Sequence, residues 1–179
     1  NEHKGYCEQA VNVLSQPEKI AFNIFDERLC TLGRKFEDFR KAEKANAIIT
    51  ANTIEDLAKK LDISISSLSE TILEIDALAK HNKKDAFGRN FNSKSRLQPP
   101  YYAVKVTGAL FHTQGGLLID GRARVIKKNG SIIEGLYACG GAACGVSGPD
   151  VSGYLSGNGL LTAISLGYIA GKSIKAIEI

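Results

Sequence analysis

Cysteine is scarce in this chain and poorly placed for metal. Cys7, Cys30, Cys139 and Cys144 are the four in 179 residues, they form no CxxC pair, and no histidine pair accompanies them, so a zinc site is not expected. Cys139 and Cys144 flank a Gly/Ala-rich turn and read as small buried thiols, with disulfide or redox roles the lesser alternative. Charge of one sign is also lacking. Lys and Arg number 23 against 19 Asp and Glu, a net charge of +4. The lysine pairs Lys41/Lys44, Lys59/Lys60 and Lys83/Lys84 are interrupted by acids or apolar residues and read as solvated faces. No aromatic-studded basic stripe supports a nucleic-acid partner. No apolar run is long enough to span a bilayer, and no secretory leader opens the sequence. Because the first residue is Asn1 rather than methionine, the chain is expected to be an excised piece, which leaves open a cytoplasmic or a periplasmic location. Two phosphate-binding signatures are missing as well: the glycine-rich loop before the last helix carries no GK(S/T), and no GxGxxG opens a βαβ unit near the N-terminus.

What is present is an ordinary globular composition, 44% hydrophobic and 23% charged, enough for one domain or two small ones. Residues 19–26 alternate apolar and polar as a half-buried strand does. Residues 36–43 have polar helical character. Thr53 is a good N-cap for a helix over 54–61, and a second helix after Asp62 or Ser64 carries Leu68, Ile72, Ile75 and Leu78 on one stripe. From His81 to Pro100 the chain is polar and reads as a long ordered loop. Residues 101–106 resume as a strand, 117–120 and 123–126 read as short strands, and Asn129-Gly130 is a hairpin turn before 131–133. A short buried strand over 136–139 is expected to feed a glycine-rich loop. The last element runs from Asn158 to about Ile177 as an apolar helix, with Gly167 and Gly171 permitting close backbone packing.

Two stretches carry chemistry. The first, Phe111 to Asp120, sets His112 and Thr113 before Gly115-Gly116, whose bare backbone can approach a bound species closely. A lone His is more often structural than catalytic. The second runs from Gly135 to Leu160, where a strand, a glycine-rich loop and a helix start at Gly157-Asn158-Gly159 aim free helix N–H groups at an anion or an electron-rich ring edge.

Taken in order, these motifs resemble the C-terminal portion of the fumarate reductase, succinate dehydrogenase flavoprotein and 3-ketosteroid dehydrogenase family, which binds FAD. Asn1-Glu2 resembles the end of the family's RF-x-NE segment, Ala51 to Ala58 its A-D-T-x-E-E-L-A helix start, and Asp85 to Arg89 its D-x-x-F-G-R loop. Pro99 to Ala103, His112 to Gly116, Gly135 to Ala138 and Ser156 to Leu160 complete the series. The resemblance implies an α+β fold. Residues 1–112 would be a partial, helical and mixed capping domain. Residues 113–179 would be the C-terminal strands, hairpin and long helix of a two-dinucleotide-type FAD-binding fold whose N-terminal half is missing from this chain. It implies FAD contacts from Thr113, Gln114, Gly115, Gly116, Gly140, Gly141, Gly157, Asn158, Gly159 and Leu160. His112, Tyr154 and Tyr6 are the catalytic candidates. His112 would hold or polarise the substrate, and Tyr154 serves either as a proton carrier or as an aromatic beside the flavin.

Departures from the family pattern matter as much. Tyr6 stands where small-dicarboxylate reductases have one Arg, and the segment Gly148 to Asn158 lacks the second. Gly141 replaces the Glu that follows the Y-A-A-G motif. A bidentate guanidinium clamp is not replaced by tyrosine, so fumarate is not the expected native substrate. The expectation is part of an FAD-dependent oxidoreductase acting on CH–CH bonds next to a carbonyl or carboxylate. An unsaturated or carbonyl-activated small molecule and an electron partner encoded elsewhere would complete it. The alternative is a non-catalytic module that keeps the scaffold.

Overall fold

Alternation at the start of the chain produces β1 (Ala21–Asp26), the first strand of the computed structural model. Residues 3–92, 96–110, 113–151 and 154–176 are described. They fall into two units, Asn1–Gly108 and Ala109–Ile179.

In the first unit, β1 pairs antiparallel with β3 (Tyr101–Val106), which pairs antiparallel with β2 (Ile48–Ala51), giving the order β1-β3-β2. Five helices accompany this sheet among the described residues: α1 (Tyr6–Leu14), α2 (Glu27–Gly33), α3 (Glu37–Lys44), α4 (Ile54–Leu61) and α5 (Ile65–Lys80). Successive side chains of a strand face opposite sides of a sheet, and β3 shows the consequence. Ala103 belongs to a cluster with Leu57, Ala58, Leu61 and Leu68 of α4 and α5. Its neighbour Tyr102 joins Phe25 and Cys30 instead, with the Tyr102 and Phe25 rings stacked at 5.7 Å. The two expected helix starts form as the capping rule requires. Thr53 Oγ1 accepts from the Asp56 N–H at 3.1 Å and Ser64 Oγ from the Ser67 N–H at 3.2 Å. Ile72, Ile75 and Leu78 are half-buried beside buried Leu68.

The polar segment after α5 is ordered by its own hydrogen bonds where it is described. Asp85 Oδ1 accepts from the Phe87 and Arg89 N–H groups at 2.9 and 2.8 Å. Further on, Arg28 Nη2 donates to the Arg96 carbonyl at 2.8 Å, and the Gln98 N–H donates to Asp26 Oδ2 at 3.2 Å. Asp26 is thus a buried staple between β1, α2 and this segment. Burial alone pushes its pKa up, but the Arg28 guanidinium and the Gln98 and Arg28 N–H groups outweigh that and hold the carboxyl below its ordinary value. A folded-state pKa below the unfolded one stabilises at higher pH and is lost as pH falls through it. Asp26→Asn should therefore lower stability near neutrality by about 2 kcal/mol and shrink the wild-type advantage below about pH 4. Urea unfolding of both proteins at pH 7 and pH 3.5 checks this; an equal gap at the two pH values would refute it.

In the second unit, β4 (Arg124–Ile126) and β5 (Ile132–Tyr137) form an antiparallel hairpin across Asn129-Gly130, where the Gly130 N–H donates to the Lys127 carbonyl at 2.9 Å. Long helix α6 (Asn158–Lys175) ends the described chain, short of the expected Ile177, which lies outside the described residues. Four local expectations are corrected. Residues 117–120 are not a strand: Leu117 bridges Ala143 in parallel and Ile119 bridges Val125 antiparallel, so neither contact extends into a ladder. Residues 136–139 are not a separate buried strand, because β5 runs continuously from Ile132 and Leu136 is exposed. Cys144 is exposed and Cys139 half-buried, so of these two neither is a buried thiol. Gly171 meets nothing that a side chain would disturb, and Gly167 has only Cys139 Sγ within ordinary contact. The glycines late in α6 therefore serve no close approach within this unit.

Candidate functional site

Gly157 is the N-cap of α6 with φ +86°, a left-handed conformation that glycine takes without the cost a Cβ imposes. It turns the chain sharply into the helix, and no side chain caps the turn. The Asn158 N–H bonds back to the Leu155 carbonyl at 3.2 Å. Those of Gly159 and Leu160 belong to the orphan donors of any first helical turn, and no acceptor for them occurs among the described residues. Thr162 Oγ1 donates to the carbonyls of Asn158 and Gly159, at 2.9 and 3.1 Å, and tightens that turn from behind.

This first turn forms one wall of a cavity of about 260 Å³. A second wall comes from Thr113 and Gln114, a third from the short 3-10 turn Gly140–Ala142 and the residues after it, Ala143, Gly145 and Val146; Tyr154 completes the lining. The 113–117 and 142–145 segments are laced by their backbones. The Leu117 N–H donates to the Ala142 carbonyl at 2.9 Å, Cys144 N–H to Leu117 at 2.9 Å, and Gly145 N–H to Gln114 at 2.8 Å. Gly116 lies at the crossing, where a Cβ would come within 2.4 Å of the Ala143 carbonyl carbon. Its bare Cα serves close packing of two backbones.

The sequence candidates thus separate. Thr113, Gln114, Gly140, Gly141, Tyr154, Gly157, Asn158, Gly159 and Leu160 line a single cavity, while Gly115 and Gly116 lie outside its lining. Tyr6 opens α1 in the first unit and is exposed. His112 lies outside the described residues. Sequence reasoning did not single out Ala143, Gly145, Val146 or Thr162 as lining, nor Ser147, whose hydroxyl accepts a hydrogen bond from the buried Asn158 side chain. Only the backbone lacing reveals that 143–147 faces α6 across the same space.

The described lining holds no Asp, Glu, Lys, Arg or His. Such walls, with unsatisfied N–H donors on one side, suit an uncharged, electron-rich ring edge. A volume near the lower end of ligand pockets, roughly 300 Å³ upward, likewise fits part of a large cofactor rather than the whole.

Comparison with known proteins identifies the class. A family profile for the FAD binding domain matches residues 29–160, and the chain belongs to that family, whose cofactor is FAD. Among curated relatives, it is 33% identical over 159 residues to the probable fumarate reductase Ifc3 of Shewanella frigidimarina (strain NCIMB 400), covering 89% of this chain and 26% of that protein. It is 34% identical over 156 residues to the NADH:acrylate oxidoreductase of Vibrio harveyi, covering 86% of this chain and 15% of that protein. Among solved structures, the 3-ketosteroid delta1-dehydrogenase from Sterolibacterium denitrificans in complex with 1,4-androstadiene-3,17-dione superposes with a TM-score of 0.72 at 28% identity. That match covers 98% of this chain and 36% of the other. The chain therefore spans a minor part of the length of each relative. The relatives are oxidoreductases, and no helix among the described residues is long and apolar enough to cross a membrane.

Proposed function

We propose that this chain supplies a capping domain and the ring-facing wall of the flavin domain in an FAD-dependent oxidoreductase. Its substrate would be a small molecule with a C=C or CH–CH bond next to a carbonyl or carboxylate. The observation that carries the reading is the single uncharged cavity that gathers Tyr154 and eight of the expected flavin contacts around the open first turn of α6. Bound FAD would supply hydride transfer at its N5 position. The Gly159 and Leu160 N–H groups would hold the ring edge where negative charge accumulates on reduction, acting as a helix N-terminus acts on any anion. Thr113 and Gln114 would pack against the ring. Tyr154 would carry the proton at its phenolic oxygen, a workable acid when desolvated, with His112 and Tyr6 as substrate-side partners. The electron donor or acceptor would come from outside this chain.

The lack of a GxGxxG signature opening a βαβ unit sets an expectation for the 179-residue chain on its own. Purified, it should be colourless and bind FAD more weakly than about 1 µM, because phosphate contacts contribute much of such affinity. Flavin fluorescence titration checks this, and a micromolar or tighter affinity would contradict it.

Tyr6 and the Arg-free segment from Gly148 to Asn158 argue for an enone, ketone or monocarboxylate substrate over fumarate. In the full-length protein carrying this chain, fumarate should be reduced with a kcat/KM about 100-fold below that for a monocarboxylate such as acrylate or for a simple enone. The missing guanidinium clamp costs on that order. Steady-state assays with reduced dye decide between them. Fumarate turnover equal to the better of the other two would overturn the substrate assignment, while a full-length protein without a flavin spectrum would overturn the oxidoreductase reading and favour a non-catalytic module.

A further inference from the structure

Within the second unit, Asn158 of the cavity wall is held at its N–H, its carbonyl and its side chain. It is 5% exposed. Its N–H closes the turn to Leu155, its carbonyl accepts from Thr162 Oγ1, and its side-chain amide donates to Ser147 Oγ. One N–H of the Asn158 amide is therefore committed to the facing segment. Ser147 is one residue beyond Val146, which lines the cavity opposite the helix, and that segment is anchored at its other end by the backbone lacing of Gly145 to Gln114. One side-chain hydrogen bond thus spans the two walls at the point where the helix begins.

We propose that Ser147 is a positioning residue for the flavin site. Through Asn158 it fixes the first turn of α6 against the 143–147 segment, and so sets the direction in which the Gly159 and Leu160 N–H groups point. This rests on the reading of the cavity as the flavin-ring site. The physical basis is that a donor aimed at developing charge is effective only when its direction is held beforehand, because reorienting it costs much of what it contributes. Without the Ser147 hydroxyl, Asn158 loses its acceptor and the turn is free to follow the amide toward water. The effect falls mainly on the charged, reduced ring, since a neutral ring gains little from an aligned helix terminus.

The signature is thus a change in the ratio of affinities for reduced and oxidised FAD, read as a lower midpoint potential. In the full-length protein carrying this chain, Ser147→Ala should reduce that ratio about fivefold, as expected for one misdirected hydrogen bond to a charged group. Ser147→Thr, which keeps the hydroxyl, should restore at least half of the change. The unfolding temperature of the protein stripped of FAD should fall by about a few degrees for Ser147→Ala, whose buried amide is left short of an acceptor, and recover in Ser147→Thr. Potentiometric titration followed by the visible spectrum measures the first quantity and calorimetry the second. An Ala variant with wild-type potential would overturn the proposal, as would an Ala variant whose only change is a lower unfolding temperature, or a Thr variant no better than Ala. If the unmodified protein binds no FAD, the flavin reading itself fails and this inference with it. If it binds FAD and the variants titrate alike, only the role of Ser147 is lost.

Discussion

Replacing Gly159 by valine should weaken FAD binding to the full-length protein by tenfold or more while leaving the fold intact. Gly159 is the second residue of α6 and lines the cavity, and a Cβ placed on it meets no protein atom within 4 Å. A Cβ is therefore accommodated in the apoprotein without a clash, and valine in place of glycine is mildly favourable in a helix. A ring edge held by the Gly159 and Leu160 N–H groups would be pushed away from both, and losing or lengthening two such bonds costs about 1 kcal/mol each or more. Equilibrium titration with FAD and calorimetry of the apoprotein check the two halves separately. An unchanged FAD affinity would sever this turn from the cofactor. Gly157→Val makes the useful contrast, because its φ of +86° would strain the apoprotein before any ligand is added.

The second large effect is structural. Gly116→Ala should destabilise the second unit by about 3 kcal/mol and lower its unfolding temperature by about 10 °C or more. A Cβ there would lie 2.4, 2.5 and 2.7 Å from the Ala143 carbonyl carbon, the Ala143 oxygen and the Cys144 nitrogen, all main-chain atoms that cannot rotate aside. The backbone bonds from Leu117 to Ala142 and from Cys144 to Leu117 would have to open. Gly115→Ala is the control. Its Cβ would enter open space, so its effect should stay within about 0.5 kcal/mol. Thermal unfolding of the two variants by circular dichroism settles the point, and equal melting temperatures would show that the crossing yields at little cost.

That pair also shows where sequence reading reaches its limit. In the sequence Gly115 and Gly116 are indistinguishable, a glycine doublet before an apolar run, and both read as cofactor contacts. Their difference arises from residue 143, which lies 27 positions along the chain and crosses one of them and not the other. The same cause explains residues 117–120. Their apolar character predicts a strand, but Leu117 and Ile119 find partners on two different segments, and a ladder needs one partner running alongside. The exposed Leu136 and Cys144 fail for a related reason: whether an apolar residue is covered depends on what lies over it.

Local rules succeeded where the cause is local. The caps at Thr53 and Ser64, the alternation in β1, the hairpin at Asn129-Gly130 and the start of α6 at Asn158 each depend on a few neighbouring residues. Family membership was legible for a different reason. Several short motifs, weak one by one, follow in one order along the chain, and order is a property of sequence alone. The sequence by itself therefore determined those local elements and the family. The tertiary structure decided which of those residues share one cavity, that its described lining carries no charged side chain, and that Ser147 grips Asn158 across it. Those are facts about distance between remote parts of the chain, set by backbone crossings that no local pattern encodes.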